Sequence, residues 1–193
     1  MKLLRTICLA LLVTSPLTAE AAVREFRFDQ ESSRLEGSIK YALIGSYEAR
    51  FREFGGMLKL DDRDIENSSV ELKVSVDSIR SRYPRLDRIV RSDRLLDTAT
   101  YPTIDFKSRT IRRLADGYQV DGQVKLHNIS KDLSFRFLFE GPYRAGDDMY
   151  VRARGQWVIN RKDFEIIWNK WLDHGGLLVG DQITVNWEIL AFH

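Results

Sequence analysis

The sequence predicts an all-β chain folded as a closed antiparallel up-and-down barrel of about eight strands with one short helix. Three observations carry that expectation. Apolar residues recur at every second position through most of the chain after residue 22, the mark of strands buried on one face only. The strands follow one another with short turns between them, and a single antiparallel sheet of that size loses its exposed edges by closing on itself. One stretch changes period: from Pro84 to Leu96 the apolar residues fall at helical spacing.

Taken in order, Phe26 and Phe28 open the series, and Leu35, Ile39 and Tyr41 continue it with Gly37 in phase between them. Phe51, then Leu58 and Leu60, flank a Gly55-Gly56 pair that is expected to bend or bulge a strand. In "VELKVSV", Val70, Leu72, Val74 and Val76 alternate with Glu71, Lys73 and Ser75. Proline cannot donate to a ladder, so Pro102 marks a strand beginning at Thr103, with Ile104 and Phe106 on one face and Asp105 and Lys107 on the other. Tyr118, Val120, Gly122, Val124 and Leu126 form the next strand, "HNISK" turns the chain, and Leu133, Phe135, Phe137 and Phe139 return. Two final strands place Val151, Ala153, Gly155, Trp157 and Ile159, and then Ile183, Val185, Trp187 and Ile189, in phase. The helix of Pro84–Leu96 carries Leu86, Ile89, Val90 and Leu96, with proline suited to its first turn. A second helical turn is expected around residues 161–166.

The chain opens "MKLLRTICLALLVTSPLTAEAA", with basic residues, a short apolar run and then small residues. That layout is a secretory signal peptide over residues 1–21, cleaved near Ala21, and the run is too short to span a bilayer. Residues 22–193 are then one domain. Cleavage removes Lys2, Arg5 and Glu20 and takes the net charge from +2 to +1. Such a balanced surface offers no general attraction for nucleic acid. Cys8, the only cysteine, leaves with the signal, and export without disulfides suits a bacterial periplasm. The expected location is periplasmic.

A barrel of about eight strands is either filled by its own side chains or holds one small ligand. Gly37, Gly122, Ala153 and Gly155 share a phase with large apolar residues, so they either thin the filling and leave a tube or relieve strain at barrel corners. Leu35, Ile39, Tyr41, Leu72, Val74, Phe106, Phe135, Phe137, Phe139, Trp157 and Trp187 are the candidate lining. Trp168 and Trp171, in the irregular "IIWNKWLDHGG", are candidates for the mouth or for core. Arg82, Arg85, Arg88, Arg91 and Arg94 recur every third residue. Arg85 and Arg88 could meet a phosphate headgroup or an anionic membrane surface, or form a solvated face balanced by Asp87, Asp93 and Asp97.

The runs "SDRLLDTATYPTIDFKS", "YQVDGQVKLHNISKDLSF" and "INRKDFEI" together resemble the YceI-like family of exported, lipocalin-like proteins. The resemblance falls on Leu95 and Asp97, on Tyr101, Pro102, Ile104, Phe106 and Ser108, on Gly122, and on Arg161, Asp163, Phe164 and Ile166, and it spans the mature chain. It implies a lipocalin-like barrel that binds an amphiphile with an isoprenoid chain, a polyprenyl phosphate or an isoprenoid quinone, as carrier or reservoir. This chain departs from the family pattern at its hairpin turn, His127-Asn128-Ile129-Ser130 in place of Gly-x-Thr, and lacks the histidines common near the first strand and the helix.

Catalysis needs a placed nucleophile, acid and base, or an open metal site. His127, His174 and His193 stand far apart in sequence, and neither a nucleophile elbow nor a phosphate loop occurs. The expectation is therefore a binding protein with no catalytic residues, metal or cofactor, whose partners are an isoprenoid lipid, a transient membrane surface and, in a homodimer, a second copy. The competing expectation is a periplasmic protein-interaction module whose barrel is filled.

Overall fold

Strand follows strand where the alternation places them. The computed structural model describes residues 23–41, 45–167 and 179–193. Residues 1–21, expected to be a signal peptide, and Trp168, Trp171 and His174 lie outside the described residues. The strands are β1 (Val23–Phe28), β2 (Arg34–Tyr41), β3 (Gly45–Phe51), β4 (Phe54–Asp61), β5 (Ser69–Ser75), β6 (Ile79–Ser81), β7 (Thr103–Leu114), β8 (Gly117–Leu126), β9 (Ile129–Ala145), β10 (Asp148–Asn160) and β11 (Val179–Phe192). Helix α1 spans Pro84–Arg91.

All described strand pairs are antiparallel. Eight strands, in the order β1-β4-β5-β7-β8-β9-β10-β11, form a ring that closes where Phe28 pairs with Ala191. The other three extend it: β2 adds to β11, β3 to β2 and β6 to β3. These three continue the paths of β1, β4 and β5 beyond sharp corners. At the first corner the Ser33 hydroxyl accepts from Leu190 N (2.9 Å) and donates to Leu190 O (3.3 Å), standing in for ladder bonds. At another, Arg52 N donates to Ser78 O (3.3 Å) and Ser78 Oγ (3.2 Å).

Two expectations are corrected here. The bend assigned to Gly55-Gly56 lies instead at Arg52-Glu53, between β3 and β4. Gly56 serves packing, because a Cβ there would stand 2.5 Å from the Phe28 ring and 2.3 Å from Glu71 O. The helix also stops at Arg91 rather than reaching Leu96. Ser92 Oγ donates to Ile89 O (2.7 Å) and competes with the helical bonds. The chain then folds back so that Leu96 N donates to Val90 O (3.0 Å). The helical turn expected at 161–166 is a 3-10 turn over Arg161–Phe164.

Turn chemistry agrees with the pairing. His127 and Asn128 both adopt positive φ (54° and 61°), the requirement of the two-residue turn that matches strand twist, and Leu126 pairs with Ile129 across it. Outside the barrel, charges sit opposite one another by register. Glu25 faces Lys59 (3.4 Å), Glu71 faces Lys107 (2.7 Å) and Lys73 faces Asp105 (3.8 Å). Arg109–Asp132 and Arg112–Asp121 are further ion pairs, formed off register.

The ring of backbone bonds is interrupted twice, and both gaps lie toward the α1 end. Among the described residues β6 has no strand on its far edge, and α1 packs beside β6. Between β9 and β10 the ladder stops at Phe137–Gly155, although both strands run on. The 3-10 turn at Arg161–Phe164 packs across that second gap, against β9, β10 and β11.

Candidate ligand-binding site

Inward-facing residues line two apolar cavities whose linings share no residue. The α1-side chamber is the larger, at ≈ 150 Å³. The far-end chamber is ≈ 80 Å³. Neither presents polar surface to its void. Single strands pass from one chamber to the other. On β11, Ile189 and Trp187 line the far chamber while Val185 and Ile183 line the near one; on β10 the change falls between Trp157 and Ile159.

Aromatic rings fill the waist. Phe106 stands 5.6 Å from Phe135, Phe135 4.8 Å from Trp157, and Trp157 6.0 Å from Trp187, between ring centroids. Phe135 and Trp187 close the set at 5.9 Å, edge to face. Glycines make room for this layer. A Cβ on Gly155 would lie 2.7 Å from the Trp187 ring, and one on Gly122 2.7 Å from the Phe106 ring. Both glycines admit rings rather than leaving a tube, and Gly122 also stands opposite Ser108 where β7 bulges. Gly37 differs, since a Cβ there would meet only Ile183 Cγ2, at 3.9 Å, and it borders the α1-side void.

The candidate lining divides accordingly. Leu35, Leu72, Phe106, Phe135, Phe137, Phe139, Trp157 and Trp187 surround the far chamber. Ile39 borders the near chamber. Val74 lines neither void and is core, 2 % exposed. The backbone of Tyr41 pairs with Gly45 and Val179, while its side chain lies outside the description. Arg85 and Arg88 are on the exposed face of α1, which turns Leu86, Ile89 and Val90 to the near void. Among the described residues neither arginine forms an ion pair. Arg91 reaches Asp77 (3.5 Å), and Arg82 lies over the Tyr83 ring (4.9 Å).

Two buried polar groups at the α1 end have no precedent in the alternation. Asp87, 2 % exposed, accepts from Tyr47 Oη (2.8 Å), Ser81 N (3.0 Å) and Ser81 Oγ (2.5 Å), tying α1 to β3 and β6. Burial opposes ionisation, but these hydrogen bonds outweigh it and hold the carboxyl below the usual range. Burial, with the hydrogen bond to Asp87 and its charge, pushes the Tyr47 phenol well up. Arg161 is 1 % exposed. Its guanidinium donates to Ile166 O (2.7 Å), Gly180 O (2.9 Å), Val179 O (3.4 Å) and Asp181 Oδ1 (3.1 Å), which pins residues 161–166 to β11 across the second gap. Burying a cation demands such partners.

His127 is occupied structurally: it stacks on Tyr101 at 4.0 Å, and its Nδ1 lies 3.2 Å from Phe164 O. Among the described residues no cluster of His, Cys, Asp or Glu could hold a metal, and no helix is long and apolar enough to cross a membrane. Trp187 Nε1 is buried at the waist with no acceptor among the described residues.

A closed antiparallel barrel with an apolar interior and a helix toward one end is a lipocalin-like architecture. The model of the YceI-like domain matches residues 26–191, and the chain belongs to that family. A UPF0312 protein of Vibrio parahaemolyticus is 27 % identical over 165 residues, covering 82 % of this chain and 85 % of the relative. Two solved structures share the fold. Burkholderia cenocepacia BcnA superposes with a TM-score of 0.72 at 19 % identity, covering 84 % of this chain and 98 % of its own. A polyisoprenoid binding domain from Saccharophagus degradans, implicated in plant cell wall breakdown, gives 0.63 at 14 % identity, covering 86 % and 97 %.

Proposed function

We propose that the protein is exported to the periplasm and holds the chain of an isoprenoid amphiphile, a polyprenyl phosphate or an isoprenoid quinone, in its apolar interior as carrier or reservoir. The observation that carries this reading is the pair of apolar voids without polar surface, in a chain of the YceI-like family. The polyisoprenoid binding domain among its structural neighbours supports the same ligand class. Voids of this character stay dry and accept apolar guests. Each methylene buried is worth about 0.8 kcal/mol, so several isoprene units offset the cost of association. The protein acts by binding, without catalysis or a cofactor. The exposed Arg85 and Arg88 on α1 offer contacts to a phosphate headgroup and to an anionic membrane surface during loading.

Native mass spectrometry with organic extraction, on protein purified from its own periplasm, tests the proposal. A stoichiometric isoprenoid is the expected result; protein that arrives empty and takes up neither quinones nor polyprenyl phosphates sinks it. Sedimentation velocity on the mature chain tests for the homodimer. The aromatic waist favours a second reading, a protein-interaction module that needs no ligand. Empty protein that captures a periplasmic partner would support it.

A further inference from the structure

We propose that residues 83–101 are a lid on the α1-side chamber, with Asp87 as its latch, and that a prenyl chain enters by lifting it. Its part in loading rests on the lipid-binding reading above. Three features set the segment apart from the wall around it. Among the described residues its backbone bonds only to itself: Leu96 N donates to Val90 O (3.0 Å), Thr98 N to Arg91 O (3.1 Å) and Tyr101 N to Asp97 O (2.8 Å). The ladder stops before it, where Ser81 pairs with Ala49, and resumes after it, where Val76 N donates to Pro102 O (2.9 Å). Lifting the segment therefore breaks no bond between strands.

Asp87 is also the one buried residue between positions 83 and 101, the others being half-buried or exposed. Leu86, Ile89, Val90, Leu95 and Leu96 border the ≈ 150 Å³ void, so the apolar face of the segment meets space where a core helix would meet close-packed side chains. The fastenings to the barrel are side chains. Arg91 and Thr98 reach the exposed Asp77 carboxylate at 3.5 and 3.4 Å, contacts that water screens. The stack of Tyr101 on His127 lies at the root of the segment, beside Pro102. What remains is the Asp87 cluster, a buried carboxylate accepting from Tyr47 Oη, Ser81 N and Ser81 Oγ, whose three bonds form or part together as α1 moves. A segment closed on itself and held at one buried point opens at lower free energy than the paired strands beside it.

Two measurements on residues 22–193 test the lid. Without ligand, amides of 84–98 should exchange with solvent as one group, at least about tenfold faster than those of β5 and β7. Ser81→Cys/Asp87→Cys then replaces the latch with a covalent one, formed by oxidation or by a short bis-thiol cross-linker. Cys8 is the chain's only cysteine, so residues 22–193 supply no competing thiol. Locked, the segment should exchange as slowly as β5, and farnesyl phosphate followed by stopped flow should enter and leave at least about tenfold more slowly, with its equilibrium affinity kept within about twofold. Reduced, the same variant lacks any latch and should take up the probe faster than the wild type. Should the double variant not fold, Ser81→Ala, which removes one of the three bonds, should raise both the exchange and the entry rate about threefold or more. Amides of 84–98 that exchange only along with β5 and β7 overturn the lid, whatever the protein binds. Entry unchanged by the lock overturns its use as a gate and leaves lipid binding standing. Failure of every form to take up farnesyl phosphate counts against the lipid reading, and the exchange pattern still decides whether the segment opens.

Discussion

At the far end of the barrel each strand from β1 round to β11 pairs with its neighbours, with bulges between Ser108 and Thr110 and between Tyr150 and Arg152, and the interior is closed by rings and branched side chains. Toward the α1 end the ladder fails twice, beside β6 and between β9 and β10, and at each failure a buried charged side chain binds the bridging segment. Asp87 secures α1 across the first gap, and Arg161 secures the 161–166 turn across the second. The contrast separates two ways of closing a barrel. Where strands pair, packing suffices, because every N–H and C=O is met by the ladder. Where they part, irregular backbone needs acceptors and donors from side chains, and a charged group with several bonds supplies them at one point.

Removing Arg161 attacks the contrast hardest. Arg161→Leu leaves the carbonyls of Ile166, Val179 and Gly180 without the guanidinium. The expected loss is about 3 to 5 kcal/mol, read as a fall in the urea midpoint. Arg161→Lys should recover only part of it, since one ammonium cannot reach the four acceptors that the planar fork meets. Full stability in the leucine variant would mean that packing alone closes the second gap.

Asp87 comes next. Asp87→Ala strands Tyr47 Oη and Ser81 Oγ and should cost about 2 to 3 kcal/mol, with amide exchange rising in α1 and β6 before the far-end strands. Its carboxyl is held below the ordinary range in the folded protein. The stability it contributes is therefore complete above the unfolded value, about pH 4, and disappears as pH falls through the lower folded value. Asp87→Asn should show a shallower decline of stability on acidification below about pH 4 than the wild type. Identical acid limbs would remove Asp87 from the clamp.

At the waist the disturbance is steric. Gly155→Ala places a Cβ 2.7 Å from the Trp187 ring and 2.9 Å from Arg136 O. Backbone cannot yield as a ring can, so the cost should be about 1 to 3 kcal/mol, with a change in near-ultraviolet circular dichroism from the displaced indole. Gly37→Ala meets only Ile183 Cγ2, at an ordinary 3.9 Å, and serves as the control.

Much of the closed ring could be read in advance, because alternation reports which face of a strand is buried. Pro102 fixed the start of β7, and the phases of Phe135 and Trp187 placed both inside. The corners were illegible: Arg52 and Glu53 carry no turn signature, and their bend depends on Ser78, distant in sequence. Nor could periodicity divide the interior in two, since the waist joins Phe106 to Trp187, residues from opposite halves of the domain. Asp87 read as part of a solvated face because its partners are hydroxyls forty and six residues away and a backbone N–H. Three of the four acceptors of the Arg161 guanidinium are backbone carbonyls, which no residue type announces, and the fourth, Asp181, lies twenty residues away. The Arg-x-Asp-Phe-x-Ile segment was the one signal available for Arg161.

The smallest effect is expected on the outer face, where charges are as numerous as they are weak. Arg152 and Glu188 lie 3.7 Å apart across β10 and β11, with their side chains 47 % and 44 % exposed. Water screens such a pair and the side-chain entropy of holding it nearly cancels its attraction, so Arg152→Ala should change stability by no more than about 0.5 kcal/mol. The effect should shrink further in high salt. Arg152→Ala and Arg161→Leu thus remove the same kind of cation from one strand and from the turn that follows it. A loss at Arg152 approaching that at Arg161 would show that charge itself stabilises this barrel; near-neutrality would leave burial beside a broken ladder as the property that makes Arg161 matter.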